Sequence, residues 1–176
     1  MTLLHESSIG AEVALKEVID ASLGLLATEL GNRVVSVVHF GSTAVSPVKF
    51  EADIDIMIIV DALPEYDPRG LEVSSALKRR LEPSLDRLRA MGRTYRWALL
   101  VRTKTQASRF SKHYLDMVDQ SRVLSDESGF FASLLSRTQA WITSAGAKRT
   151  KTGGKTYWDL GDEKKAMAIW DAVKLK

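Results

Sequence analysis

Residues 53–60, Asp-Ile-Asp-Ile-Met-Ile-Ile-Val, constrain the fold of this chain more than any other stretch. Behind the two aspartates every residue is apolar, and most are β-branched, which reads as a buried strand. A second run of this kind, Val34–Phe40, precedes it. Gly41-Ser42 and residues 43–52 join the two. The order is strand, tight turn, short connection, then a strand that opens on two carboxylates. Charged residues belong at the surface, so an acidic pair at the head of a buried strand needs a reason.

Metal chemistry supplies one. Successive side chains of a strand alternate between its faces. Asp53 and Asp55 therefore point one way while Ile54 and Ile56 point into the core. Two like charges roughly 7 Å apart along a strand repel each other, and a divalent cation removes the repulsion. Mg²⁺ is typically held by one or two carboxylates plus substrate phosphates. Gly41 lets a backbone approach closely, having no Cβ. The Ser42 hydroxyl and the N–H groups after it suit an anion.

Phe40-Gly41-Ser42 followed by Asp53-Ile54-Asp55 resembles the signature of the DNA-polymerase-β-type nucleotidyltransferases, closest to the small, minimal members. That signature is an apolar residue, Gly-Ser, about ten variable residues, then Asp-x-Asp or Asp-x-Glu. The resemblance is firm over residues 33–61 and extends from the N-terminal helix to the strand near residue 100. Tyr114-Leu115-Asp116-Met117 and Tyr157-Trp158-Asp159-Leu160 are similar to segments of longer members. The fold it implies is α/β (α+β), a twisted mixed β-sheet with helices packed mainly on one face. The activity it implies is Mg²⁺-dependent transfer of a nucleoside monophosphate, AMP from ATP above all, to a hydroxyl on a protein or small molecule.

On this resemblance Asp53 and Asp55 hold two Mg²⁺ ions, and Gly41 and Ser42 hold the β- and γ-phosphates. Thr43 adds a hydroxyl or N–H donor. Arg96 and Arg102 point at phosphates as bidentate donors, or else stand at exposed strand ends. Active members usually bring a third carboxylate from a neighbouring strand. Tyr95–Arg102, the strand expected there, contains no acid. Asp116, in an apolar setting, is the substitute, with a plain helix-surface charge as its alternative. Glu51 and Asp61 read as loop and strand-end charges. The arginine that often follows Gly-Ser is absent, since Thr43-Ala44-Val45 stands there. Small members of the family act with a helical HEPN-type partner, as antitoxins that adenylylate it, and others modify aminoglycoside-like antibiotics.

Two further function classes stay open. One keeps the fold as a nucleotide-binding, antitoxin-like module without turnover. The other uses Lys148-Arg149-Thr150-Lys151-Thr152-Gly153-Gly154-Lys155, with four positive and no negative charges, to bind nucleic acid. A net charge of +3 favours a polyanionic partner only weakly. Gly154-Lys155-Thr156 is no P-loop, because Arg149 stands where that motif needs glycine. Disulfides and cysteine-based zinc sites are excluded, as there is no cysteine. No apolar stretch approaches the roughly 20 residues of a membrane span, and residues 1–6 lack the order of a signal peptide. A cytoplasmic protein is expected.

The 176 residues suffice for one domain, with a core over about 8–104 and an extension over 105–176. Leu15, Ile19, Leu23, Leu26 and Leu30 predict a helix over 8–30 capped at Ser7 or Ser8. Pro83 predicts a break in a helix over 71–91. A broken helix over 105–118, a short strand at 122–124, a helix over 129–145, a hairpin at Gly153-Gly154 and a last helix over 162–173 follow. His39 reads as structural, and Trp141, Trp158 and Trp170 as core or interface aromatics.

Overall fold

The protein is described from a computed structural model covering residues 2–45, 49–153 and 155–172. Helix α1 spans Thr2–Leu30 and begins upstream of the expected serine cap. Strand β1, Val34–Phe40, leads through a four-residue helical turn, α2 (Ser42–Val45), to strand β2, Glu51–Val60. Strand β3 is Thr94–Thr103 and β4 is Ser121–Ser125. The four form one sheet in the order β3-β2-β1-β4. Strand β1 is antiparallel to β2 and β4, whereas β2 and β3 are parallel. This is the mixed sheet that was expected.

A parallel pair needs a crossover. Here it contains α3 (Leu71–Leu81) and α4 (Asp86–Ala90), separated by a 3-10 turn at Glu82–Leu85 that carries Pro83. Asp67 starts α3. Its buried carboxylate accepts the N–H groups of Leu71 at 2.8 Å and Val73 at 2.9 Å, donors that the first helical turn otherwise leaves orphaned.

Strand alternation divides the core in two. Ile54, Ile56, Ile58 and Val60 pack with Leu15, Ile19, Leu26 and Leu30 of α1, Leu77 and Leu81 of α3, and Trp97 of β3. Met57 and Ile59 face the other way, into a second cluster with Tyr114, Leu115, Phe131, Leu134, Trp141 and Trp170. Helices therefore cover both faces of the sheet. Packing on one face holds for the expected core, and the C-terminal extension covers the opposite face.

That extension comprises α5 (Lys104–Ala107), α6 (Lys112–Met117), α7 (Phe130–Ala145), α8 (Glu163–Ala172) and a separate hairpin of β5 (Lys148–Thr152) and β6 (Lys155–Asp159). Gly154 of the expected turn lies outside the described residues. Phe110, Trp141 and Trp170 pack ring against ring, with centroids 4.9–6.2 Å apart. The Trp141 indole donates to the Ala166 carbonyl at 2.7 Å, so the aromatic mass is buried without an orphaned donor. Trp141 and Trp170 are core residues, as expected, and Trp158 is half-buried. No described helix is long and apolar enough to cross a membrane.

Candidate functional site

The face that carries Asp53 and Asp55 is the one the extension covers. The two aspartates lie at its open end, before the apolar residues Met57 and Ile59. Gly41 sits directly against Asp55, because β1 runs antiparallel and Phe40 stands opposite that residue. A Cβ on Gly41 would overlap the Asp55 carboxylate and lie 3.2 Å from its Cγ. Gly41 also has φ +76°, a left-handed conformation that other residues enter only at a cost. Two independent features thus favour glycine here.

The turn is clamped from the opposite face. Thr43 Oγ1 donates to the Asp53 carbonyl at 3.1 Å. His39 Nε2 lies 2.9 Å from the same hydroxyl. Since the hydroxyl proton is already given to Asp53, the imidazole must donate, which fixes the Nε2–H tautomer. Its Nδ1 is then buried with no partner. Burial, reinforced by the Arg122 charge, lowers the His39 pKa to about 4. His39 is therefore neutral and structural, as expected. The Thr43 hydroxyl is committed to the β2 backbone.

A cavity of about 410 Å³ opens beside Asp55 and Gly41. Phe40, Ala98, Leu100 and Met117 give it apolar walls, and His113, Asp116, Gln120 and Lys78 supply polar groups. A larger groove of about 630 Å³ lies between α1 and α3, lined by Leu30, Tyr66 and Leu71. It is on the far side of the sheet and contains neither Asp53 nor Asp55, so its size gives it no claim on their chemistry.

Burial raises the Asp55 pKa, the Asp53 charge raises it further, and His113 works in the opposite direction. The charged form of Asp55 is thus held in an unfavourable place. A divalent cation relieves both causes at once. The cavity gives room beside Asp55, and with Asp53 two residues away on the same strand face the donor set suits one such ion.

It does not extend to the third carboxylate that the two-ion expectation requires. The parallel register sets Arg96 beside Asp53 and Ala98 beside Asp55. Arg96 Nε lies 3.1 Å from Asp53 Oδ1, and its Nη2 lies 3.6 Å from Glu51. Asp116 is on the cavity wall, but Arg149 Nη2 at 3.0 Å and the Trp158 indole at 2.9 Å both donate to its Oδ1. Among the described residues no three His, Cys, Asp or Glu side chains come together as a metal-binding group. Asp116 thus ties the hairpin to α6 through its Oδ1.

Arg102 is also elsewhere. It stands beside Ile59, six residues and roughly 20 Å along the strand from Arg96. Its Nη1 donates to the Val101 and Arg69 carbonyls at 3.0 and 3.4 Å. Asp61 pairs with Lys104. Arg149, counted as part of a free basic stretch, is bound to Asp119 as well as Asp116 and lies over the Trp158 ring. Sequence reasoning missed His113, Lys78 and Gln120 on the cavity wall, because nothing local marks them.

No family model matches the chain, and no curated protein matches it. Solved structures show a distant similarity. A toxin–antitoxin structure with AMP-PNP gives a TM-score of 0.47 at 16% identity, over 71% of this chain and 87% of that chain. An MntA–HepT toxin–antitoxin structure gives 0.42 at 14%, over 71% and 85%. A tri-AMPylated HEPN toxin from Shewanella oneidensis in complex with the MNT antitoxin gives 0.42 at 16%, over 71% and 84%.

Proposed function

We propose that this chain is a Mg²⁺-dependent nucleotidyltransferase that moves a nucleoside monophosphate, AMP from ATP in the first instance, to a hydroxyl acceptor. One observation carries the reading. Gly41, in a left-handed backbone conformation that favours glycine, is pressed against Asp55 at the mouth of a cavity, and Asp53 lies two residues away on the same strand face.

Asp53 and Asp55 would hold the cation, with the triphosphate completing its coordination. When bound, Mg²⁺ neutralises charge on the phosphates and orients them. Gly41 and Ser42 receive the β- and γ-phosphates, where the missing Cβ lets backbone and anion approach. The acceptor oxygen bonds to the α-phosphorus as the bond to the pyrophosphate oxygen breaks, pyrophosphate leaves, and the acceptor proton passes to solvent water. Phe40, Leu100 and Met117 give the acceptor side of the cavity apolar walls. The acceptor class is a protein hydroxyl, a HEPN-type partner being the first to try, or a small molecule.

The Arg96–Asp53 pair and Ala98 favour a second reading, in which the site binds nucleotide as an antitoxin-like module and does not turn it over. Incubation with α-labelled ATP, Mg²⁺ and candidate acceptors separates the two. Transfer that Asp53→Ala abolishes, in a protein that still folds, establishes the enzyme. Binding of AMP-PNP without transfer to any acceptor establishes the module. Absence of nucleotide binding refutes both.

A further inference from the structure

The sheet register gives Arg96 a part in the cation chemistry. Arg96 and Asp53 face each other across the parallel β2–β3 pair, and Arg96 Nε lies 3.1 Å from the Asp53 carboxylate. Its Nη2 is 3.6 Å from Glu51 on the same side. Residues two apart on a strand share a face, so Glu51, Asp53 and Asp55 form one acidic row with Arg96 against its middle. Ala98, the next residue on that face of β3, brings no carboxylate to Asp55.

We infer that this is a one-cation site, in which the Arg96 guanidinium does for Asp53 what a second divalent ion would otherwise do. The inference rests on the nucleotide-site reading above and specifies how that site is charged. The row of three carboxylates carries three negative charges, and Arg96 offsets one. With no nucleotide bound, a single divalent cation at Asp55 balances the remaining two, whereas a second would leave the row positive. A guanidinium cannot lose its proton in this range and presents several donors in a plane. It is a fixed positive charge, in place before any ion arrives. Arg96 and a cation share Asp53, so each weakens the other's hold on it. All three side chains of the contact are half or more exposed, and pairs of that kind are worth little. Arg96 can therefore yield part of its contact when the cation enters.

Titration with Mn²⁺ alone, read by the electron paramagnetic resonance of the free ion, tests this without any turnover. The wild-type chain should bind one Mn²⁺ at the site. Arg96→Gln should bind it about two- to fivefold more tightly, with the gain shrinking as salt rises. Combining Arg96→Gln with Ala98→Asp should create a second site, because a carboxylate then stands beside Asp55 on β3. Asp55→Asn should lose the ion. Two ions in the wild-type site, or unchanged or weaker binding in Arg96→Gln while Asp55→Asn still loses the ion, overturns the role of Arg96 and leaves the nucleotide site standing. Mn²⁺ binding that Asp55→Asn does not affect, or no binding at all, overturns the site itself and the inference with it.

Discussion

Acidification should unfold this protein partly through His39, and the size of the effect follows from its surroundings. The imidazole is 2% exposed. It faces Arg122 of β4 and shares a groove with Glu12 and Lys16 of α1. Burial first, and Arg122 second, lower its pKa from 6.5 to about 4. The unfolded chain therefore takes up a proton near pH 6.5 that the folded protein refuses until about pH 4. The stability gained by keeping His39 neutral is fully present above 6.5 and is lost as pH falls towards 4. At about 1.4 kcal/mol per tenfold change, the loss by pH 4 is about 3 kcal/mol. His39→Gln places an amide N–H near the Nε2 position and removes the titration. Urea unfolding followed by tryptophan fluorescence at pH 7 and pH 4 measures both proteins. Acid effects common to the two cancel in the difference. That difference should move by about 3 kcal/mol in favour of the variant between pH 7 and pH 4. A constant difference would refute the assignment of a buried, neutral, Nε2-protonated ring, and with it the clamp on Thr43.

Gly41→Ala should lower stability by about 1–2 kcal/mol from its left-handed backbone alone, with more from the overlap with Asp55, and should abolish AMP-PNP binding. Calorimetry of both quantities tests this. Asp55→Asn should raise Tm at pH 7, because the Asp55 pKa is raised in the fold and ionisation there works against folding. The gain should vanish below about pH 3, where the wild-type carboxyl is protonated in both states, as a thermal melt series would show. Trp170→Ala should cost about 3–5 kcal/mol in urea unfolding, the usual loss for a large buried aromatic.

Local periodicity made the elements readable. The alternation in 95–102, the apolar run of 53–60 and the leucine spacing of α1 each depend on residues a few positions apart. Pro83 marked its own break. Long-range pairing was less legible. Arg96 and Arg102 look equivalent in sequence, two arginines six residues apart on the same face of one strand. Only the parallel register, set after a crossover of some thirty residues, puts one beside Asp53 and the other beside Ile59. Asp116 stood out in sequence as an acid in apolar company. Its partner Arg149 lies 33 positions away in a segment that reads as a solvated basic turn. Which helices cover which face was likewise hidden, because α7 and α8 are amphipathic against any sheet.

The structure marks the site through cost. Gly41 in a left-handed turn and Asp55 carrying an unfavourable charge are each locally expensive. They meet where the end of β1 adjoins the head of β2. Ordinary packing has no use for that combination, since Asn at 55 would relieve the burial and repulsion of the charge together. The expense is intelligible if a cation and a phosphate chain complete the site. The stability gain expected of Asp55→Asn and its loss of Mn²⁺ binding are then two readings of one electrostatic arrangement, and they must appear together.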